Sequence, residues 1–384
     1  MMAVARTVNP TDFGNYAALL LVMYFVSGLI SAFVIQVFQV HISTKKHQNQ
    51  YITFSFWTYL FLMFFASGMI SVLYSFFSIS IPVELFFSLM LGFLLHDYFR
   101  KTFLSLQKIK QVFLLDLLFS IGQVAAFLFF FFYTSTTIEN FIICSSLGYI
   151  LPFLAGFLLL KPFHFNAAST KEWLKLHFRQ GKWLVGTAVV QWWASNLFVV
   201  ASGVYLGVQA LGALRLGQSL FGILNLLLQT FENYVLPNAA RLLKESEIKA
   251  YHYIKKVSLF AGFAFLPMLV LGFFAGEQII VLAGGIQYQS FGFVIQGLSL
   301  LYVFIYFAQP IRILMRIHVL NKFFFMGYLL TLGFAMITSN SLISTWGLSG
   351  VISGLIVSQL LLIVYWYWIL NRNKISVWKL FTSY

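Results

Sequence analysis

The sequence predicts an all-α membrane protein that crosses the bilayer many times, and three features support this. Hydrophobic residues make up 60% of the 384 residues and charged residues only 9%, with a mean hydropathy of +0.88. Apolar runs long enough to cross a bilayer recur along the chain. These runs are continuous rather than alternating, which favours helices over the strands of a barrel. The one cysteine, Cys144, excludes a disulfide within the chain and a cysteine metal cluster.

The apolar runs predict eleven spans. They are Phe13–Val40, Ile52–Phe77, Ile81–Phe99, Gln111–Tyr133, Ile138–Leu160, Trp183–Leu206, Val208–Leu236, Val257–Leu282, Gln289–Ile311, Phe323–Ile337 and Leu342–Leu370. Of the 24 Lys and Arg residues, all but Arg6 and Arg215 lie in alternate, basic connections or in the tail. The positive-inside rule places these connections and the C-terminus in the cytoplasm. Topology and anionic lipid head groups therefore explain the net charge of +14, and we expect no nucleic-acid partner.

The sequence contains no pattern typical of an enzyme. A glycine-rich phosphate loop, paired Cys/His ligand spacing and a nucleophile elbow are all absent from it. The uncharged connections, such as Ser78–Ser80 and Thr134–Thr137, are too short to form an active site outside the membrane. This argues against a membrane-embedded polysaccharide polymerase or ligase. We therefore expect no catalysis, no cofactor and no metal centre.

A weak internal similarity predicts two related halves. When Phe13-Gly14 is aligned with Leu211-Gly212, Val4-Ala5 falls on Val200-Ala201. A full helix precedes the second segment, so we expect two pseudo-symmetric six-helix lobes of which the first helix is truncated or missing. The expected domains are an N-terminal lobe (1–160), a cytoplasmic inter-lobe linker (161–182) and a C-terminal lobe (183–384). The linker reads either as a short amphipathic surface helix or as an ordinary loop, and tandem halves suit a transporter.

The strongest functional signal is a line of polar residues on one apolar stretch, Val208–Arg241. Its members recur in steps of three and four, which places them on one face of a helix: Arg215, Gln218, Gly222, Asn225, Gln229 and Glu232. An arginine deep in a bilayer costs about 2.5–3.5 kcal/mol on insertion scales, so this face is expected to avoid lipid. Pairing of Arg215 with Glu84 or Asp116 is one explanation, and contact with a polar ligand is the other.

Shorter polar faces occur on other predicted spans. They comprise Glu84, Ser88, Gly92 and His96; Asp116, Ser120 and Gln123; Gln191, Ser195 and Asn196; and Gln296, Ser299, Tyr306 and Gln309. Taken singly, the Ser, Asn and Gln residues are explained by hydrogen bonds between helices, worth about 0.6 kcal/mol each. Taken together, several polar faces in one bundle favour a central hydrated cavity.

Four parts of the chain carry motifs of a known family. They are ARTVNPTDFGNY (Ala5–Tyr16); RQGKWLVGTAVVQWWASNLFVV (Arg179–Val200) with LGVQALGALRLGQSL (Leu206–Leu220); ENYVLPNAARL (Glu232–Leu242); and GLSGVISGLIVSQ (Gly347–Gln359). They resemble the oligosaccharide and polysaccharide flippases of the multidrug/oligosaccharidyl-lipid/polysaccharide (MOP) exporter superfamily, which include the Wzx-type O-antigen flippases. The first motif is similar to the turn after the first helix of these proteins, the next ones to the start of their second half, and the last to their last helix. These motifs are structural turns, so they indicate the superfamily rather than the substrate.

The resemblance implies a V-shaped, two-lobe, MATE-like bundle in the bacterial cytoplasmic (inner) membrane. Such a protein moves a polyprenyl-pyrophosphate-linked oligosaccharide, for example an O-antigen unit of lipopolysaccharide, across that membrane by alternating access. For this substrate we expect Arg215 to contact the phosphate, and Gln218, Asn225 and Gln229 to contact sugar. Arg6 is a candidate second cationic contact, with an interfacial topology role as the alternative. The expected partners are the lipid-linked oligosaccharide, membrane lipids and a coupling proton or sodium ion.

Two other functions stay open at this point. A cation-coupled multidrug or small-molecule antiporter of the same superfamily needs a membrane-buried carboxylate, for which Asp116, Glu84 and Glu232 are the candidates. A non-transporting membrane scaffold for glycan assembly would leave a polar cavity without a role. The deepest expected charge is the cation Arg215, which favours an anionic cargo and therefore the flippase.

Overall fold

The computed structural model describes residues 1–42, 47–74, 81–165, 167–230 and 234–377, and every regular element in this part is helical. In chain order the helices are α1 (Met2–Thr7), α2 (Pro10–Ile30), α3 (Gln36–His41), α4 (Gln48–Tyr74), α5 (Val83–Ser105), α6 (Ile109–Tyr133), α7 (Ile138–Leu147), α8 (Ile150–Leu160), α9 (Ala167–Leu206), α10 (Val208–Leu220), α11 (Gly222–Thr230), α12 (Leu236–Glu245), α13 (Glu247–Phe274), α14 (Gly276–Gly284), α15 (Gly292–Ile317) and α16 (Asn321–Arg372). A π-helical turn, Ser31–Ile35, joins α2 to α3, and a 3₁₀ turn, Ile286–Phe291, precedes α15. The predicted all-α polytopic membrane fold is confirmed.

The described helices that are long and apolar enough to cross a membrane number eight, or nine if the bent pair α10 and α11 forms one span. Two differences explain why the described helices give nine spans where eleven were expected. Helix α5 has the length of a span, but Asp97, Arg100 and Lys101 make its second half too charged to qualify by composition. The last two expected spans both lie within α16, which has 52 residues.

The chain forms two compact units, one of residues 15–192 and the other of residues 1–14 with the described residues from 193 onward. The first unit has an aromatic core between α4 and α5. Tyr59 and Tyr98 are fully buried with ring centroids 4.8 Å apart, and the Tyr59 hydroxyl donates to the Leu94 carbonyl at 3.0 Å. Buried aromatic rings contribute much of the packing energy when their polar atoms find such partners. Lobe symmetry and the 161–182 division stay predictions.

The expected linker in residues 161–182 is neither a separate short helix nor a loop from Ala167 onward. Helix α9 begins there and runs for 40 residues to Leu206, through the expected linker and the next span. No proline interrupts this stretch, because the nearest ones are Pro162 and Pro237. One face of its first part is packed, since Trp173 is 4% exposed, whereas Lys171, Lys175 and Arg179 are exposed.

His177 is buried in the same part of α9, although its place beside basic residues predicts a solvated side chain. Its Nε2 lies 2.9 Å from the Tyr51 hydroxyl, and its Nδ1 lies 3.0 Å from the Phe33 carbonyl. Both ring nitrogens therefore have partners. This histidine ties α9 to α4 and to the π-helical turn.

In the other unit, the connection expected at Thr338–Ser341 is helical, and the break in α16 falls at Gly347 (φ +56°, ψ −135°). The Thr338 hydroxyl donates to the Phe334 carbonyl at 2.8 Å, so this polar side chain is satisfied within the helix. A backbone with positive φ favours glycine, which explains why the chain turns at Gly347 instead. The two arms, residues 321–346 and 348–372, then pack closely, and the Trp366 ring stacks on Phe324 with centroids 4.8 Å apart.

The stretch Val208–Arg241 is not the single straight helix that its polar line predicts. Helices α10 and α11 meet at Phe221 with a bend of 51°. Ser219 and Gly222 flank this point, and such residues are common at helix kinks. The bend separates Arg215 and Gln218 on α10 from the polar residues of α11. Glu232, the last member of the line, lies outside the described residues.

Candidate functional site

A polar cavity of about 420 Å³ lies between helices of the unit that contains residues 193–377. We call it the amide cavity, because glutamine and asparagine side chains from three helices line it. Its lining consists of Ser195 on α9; Asn225, Leu228 and Gln229 on α11; Ile305, Ala308, Gln309 and Arg312 on α15; and Tyr328, Gln359, Leu362 and Trp366 on α16. Its volume is in the range of ligand pockets. A cavity lined in part by polar side chains is therefore present inside this unit, and the expected central hydrated cavity stays a prediction.

Helical spacing explains how the chain presents these side chains. Asn225 and Gln229 are four residues apart on α11, and Gln309 and Arg312 are three apart on α15, so each pair shares one face. The Tyr302 hydroxyl donates to Asn225 Oδ1 at 2.9 Å and connects α15 to α11. The walls of the cavity are therefore held together by a direct hydrogen bond as well as by packing.

The described lining of the amide cavity carries a positive side chain, Arg312, and no acidic one. Arg312 is half-buried, and its guanidinium carbon lies 5.8 Å from the centre of the Phe324 ring. Gln309 is 3% exposed, and its Oε1 has no hydrogen-bond partner within the described part of the chain. The cavity therefore offers a cationic donor beside a buried acceptor, which suits a ligand with both anionic and hydroxyl groups.

The structure places two of the predicted sugar contacts in this cavity, Asn225 and Gln229, and leaves three other predicted residues outside its lining. Arg215 donates from Nη1 to Gln218 Oε1 at 2.9 Å, so these two residues contact each other on α10. Arg215 also interacts electrostatically with Tyr302, which bonds to Asn225. Arg6 is exposed at the end of α1.

The described carboxylates among the ion-coupling candidates, Asp116 and Glu84, differ in the contacts that they make. Asp116 is 40% exposed and accepts from Arg100 Nε, which lies 3.1 Å from both carboxylate oxygens. His96 Nε2 lies 3.7 Å from the same carboxylate. Glu84 is exposed in the first turn of α5. Glu232, the third candidate, is not among the described residues.

A less exposed carboxylate, Asp97, was missed as a coupling candidate. Its side chain is 18% exposed and accepts from Lys101 Nζ at 2.7 Å and from the Ser27 hydroxyl at 3.4 Å. Lys101 Nζ also donates to Ser31 Oγ at 3.1 Å, at the start of the π-helical turn. The i, i+4 spacing of Asp97 and Lys101 on an apolar helix was the available signal.

Arg312 was also missed, because it was counted with the basic connection that follows α15. The signal in the sequence was its spacing of three from Gln309, the last member of the polar face on that span. Gln359 and Trp366 belong to α16 and are separated by two helical turns, so they share a face as well.

Two other depressions lie in the described part of the chain, one of them polar and the other mainly apolar. A more open cleft of about 650 Å³ lies within residues 277–296, where Gln289 donates to Glu277 at 2.6 Å. An aromatic groove of about 400 Å³ in the first unit is lined mainly by apolar side chains such as Trp57, Phe61 and Phe165. The cleft is formed by the connection between α14 and α15. The groove resembles ordinary lipid-facing surface.

The helical fold defines a multi-pass membrane protein with a polar cavity among apolar helices. A protein-family model described as "Polysaccharide biosynthesis protein" matches residues 3–292, about three quarters of the chain. The chain belongs to this family, which is one of the polysaccharide flippase families of the MOP superfamily, and the resemblance found in its turn sequences is confirmed. No curated protein matches the chain significantly. The family match ends before Gln309 and Arg312 in the chain.

Proposed function

We propose that this protein translocates a polyprenyl-pyrophosphate-linked oligosaccharide across the bacterial cytoplasmic membrane by alternating access. The observation that carries the proposal is the amide cavity in a member of a polysaccharide biosynthesis family. Sugar hydroxyls both donate and accept hydrogen bonds, and amide side chains match them because they do the same. An O-antigen or other surface polysaccharide unit is the proposed cargo, and the protein itself performs no catalysis.

We assign sugar contacts to Asn225 and Gln229, which their place in the cavity lining supports. The phosphate contact remains assigned to Arg215, with Gln218 orienting the guanidinium through the 2.9 Å hydrogen bond. Arg6 stays a candidate for a second cationic contact. In this arrangement the lipid tail stays in the bilayer while the head group exchanges water for protein dipoles. The basic connections and the C-terminus face the cytoplasm in this proposal.

The decisive experiment measures on which leaflet the lipid-linked oligosaccharide accumulates. Cells that lack the protein would be complemented with wild type, with Arg215→Ala or with the double variant Asn225→Ala/Gln229→Ala. Gln48→Ala, which changes an exposed amide at the start of α4, is the matched control. We expect cytoplasmic accumulation without the protein and with both site variants, and normal distribution with the control.

Each alternative function has its own outcome in this experiment. An unchanged leaflet distribution together with reduced drug tolerance would contradict the flippase and support the antiporter. Unchanged distribution and tolerance with reduced glycan assembly would support the scaffold. A fully active Arg215→Ala variant would remove Arg215 from the site without contradicting the translocation itself.

A further inference from the structure

We infer that the first part of α9 and the aromatic groove beside it form a binding site for one anionic phospholipid. In this site the head group lies on a row of basic side chains of α9, and an acyl chain occupies the groove. The site belongs to the unit of residues 15–192 and shares no lining residue with the amide cavity. The inference goes beyond the proposed function and does not depend on it.

The row of basic side chains, which we call the basic stripe, consists of Lys171, Lys175, Arg179 and Lys182 on α9. Their spacing of four, four and three residues places them on one face of the helix, and all four are exposed. One acidic side chain, Glu172, lies within the same segment. The apolar part of α9 begins directly after the stripe, at Trp183, so the stripe adjoins the membrane surface. A cluster of four basic residues in such a place is typical of a surface that binds anionic lipid head groups.

Exposed apolar side chains lie beside this stripe on the same helix. Leu174 and Phe178 are both exposed, and their spacing of four residues places them on one face, between the stripe and the buried Trp173. Leu174 also lines the aromatic groove. A helix that presents Lys and Arg next to exposed Leu and Phe is suited to the boundary between lipid head groups and acyl chains.

The aromatic groove, of about 400 Å³, supplies a surface for the acyl chain. Phe61 and Phe165 are 66% and 68% exposed, so their rings are accessible to lipid. The Trp57 and Phe165 rings have centroids 5.9 Å apart, and Trp57 Nε1 donates to the Pro162 carbonyl at 3.1 Å. This wall of the groove is therefore held by a hydrogen bond as well as by packing.

The lining changes along α4 in the order that a phospholipid requires. In chain order, the lining residues of α4 are Gln50, Thr53, Phe54, Trp57, Thr58 and Phe61. The first two are polar and the last is a phenylalanine, about 16 Å further along the helix at 1.5 Å per residue. Trp173 of α9 packs on Phe54 with centroids 5.6 Å apart, so the basic stripe lies near the polar start of this series. A head group at the stripe and an acyl chain directed towards Phe61 follow from this order.

The test is a lipid titration of the delipidated full-length protein in detergent, read out by native mass spectrometry. The probes are phosphatidylglycerol and phosphatidylcholine with identical acyl chains, and glycerol 3-phosphate is a competitor that carries charge without a chain. Lys171→Gln/Lys175→Gln removes two charges of the stripe. Lys108→Gln/Lys110→Gln is the matched control, because it removes two exposed lysines of the same unit that lie outside the stripe and the groove.

A second pair of variants tests the acyl-chain contact. Phe61→Ala removes an exposed ring from the groove, and Phe64→Ala removes an exposed ring of the same helix outside the groove lining. Phe61→Ala should weaken binding of the first lipid for both probes and leave the preference between them unchanged. Phe64→Ala should have no effect on either.

We expect wild type to bind its first phosphatidylglycerol about tenfold more tightly than phosphatidylcholine, since only the former is a net anion. Lys171→Gln/Lys175→Gln should remove most of this preference, and Lys108→Gln/Lys110→Gln should preserve it. Raising the ionic strength should weaken the preference of wild type, which tests the charge even if the stripe variant does not fold. Glycerol 3-phosphate should not displace the lipid.

The inference is overturned if the first lipid shows no preference for phosphatidylglycerol, or if both pairs of lysine substitutions reduce the preference equally. Displacement by glycerol 3-phosphate would also overturn it, because the site would then bind free phosphate groups. A protein dimer that dissociates with Phe61→Ala would overturn it as well, since a second copy would occupy the groove. Normal translocation of lipid-linked glycan without any lipid preference would contradict this inference alone and leave the proposed function intact.

Discussion

Gly350 provides a sharp test of the close contact between the two arms of α16. A Cβ atom placed on Gly350 would lie 2.0 Å from the Leu342 carbonyl oxygen and 2.6 Å from its carbon, whereas ordinary contacts begin at 3.4 Å. The obstacle is backbone, so it cannot rotate away, and the arms must separate by more than an ångström. Overpacking of this kind costs about 1–3 kcal/mol. We therefore expect Gly350→Ala to lower the free energy of unfolding.

Gly333→Ala is the matched control on the first arm of the same helix. A Cβ there would meet nothing within 4 Å, so the substitution should stabilise the helix by about 0.5–1 kcal/mol. Equilibrium unfolding of both variants in detergent measures the difference, which we expect to reach about 2 kcal/mol. Equal stabilities would refute the close crossing at Gly350.

The displaced arm also carries part of the amide cavity. Gln359 lies nine residues beyond Gly350, about 14 Å along the helix at 1.5 Å per residue. A tilt of the arm at Gly350 therefore moves Gln359 relative to α15. We expect Gly350→Ala, unlike Gly333→Ala, to weaken glycan binding as well as stability.

Two further predictions concern polar contacts between and within helices. Asp97→Asn should lower the free energy of unfolding by about 1.5–3 kcal/mol because it weakens a charged hydrogen bond to Lys101 that is largely shielded from water. Asp116→Asn should cost less than about 1 kcal/mol, since its ion pair is exposed, and equal losses in detergent unfolding would contradict this ranking. Tyr302→Phe should cost about 0.6 kcal/mol by removing the bond to Asn225. A double-mutant cycle with Asn225→Ala measures that bond, and zero coupling would speak against it.

Composition predicts the fold class because each span must satisfy its backbone within the bilayer, whatever the details of packing. The break in α16 could not be predicted in the same way. Thr338, Ser339 and Asn340 resemble a connection in sequence, yet the helix continues through them and Thr338 bonds to its own backbone. The actual break lies at a single glycine with positive φ, Gly347. The residues next to it do not indicate a break in the helix.

The candidate site was predicted in part for a related reason. Periodicity correctly grouped Asn225 with Gln229, because they lie within one straight helix. It also grouped them with Arg215, since a repeat of three and four residues contains no information about a bend of 51° at Phe221. Arg312 was assigned to a connection by its charge, and only the packing of α15 against α11 and α16 places it beside an amide-lined cavity.

The π-helical turn at Ser31–Ile35 sets the direction in which the side chains of α3 point, because α3 continues directly from it. Such a turn holds one more residue than an α-helical turn, and one residue corresponds to a rotation of about 100°. Val37 and Phe38, both fully buried on α3, owe their inward direction to that extra residue. Removal of one residue from the turn would leave the composition of α3 unchanged and rotate both side chains out of the core. The one extra residue in the turn thus determines which face of α3 packs into the core.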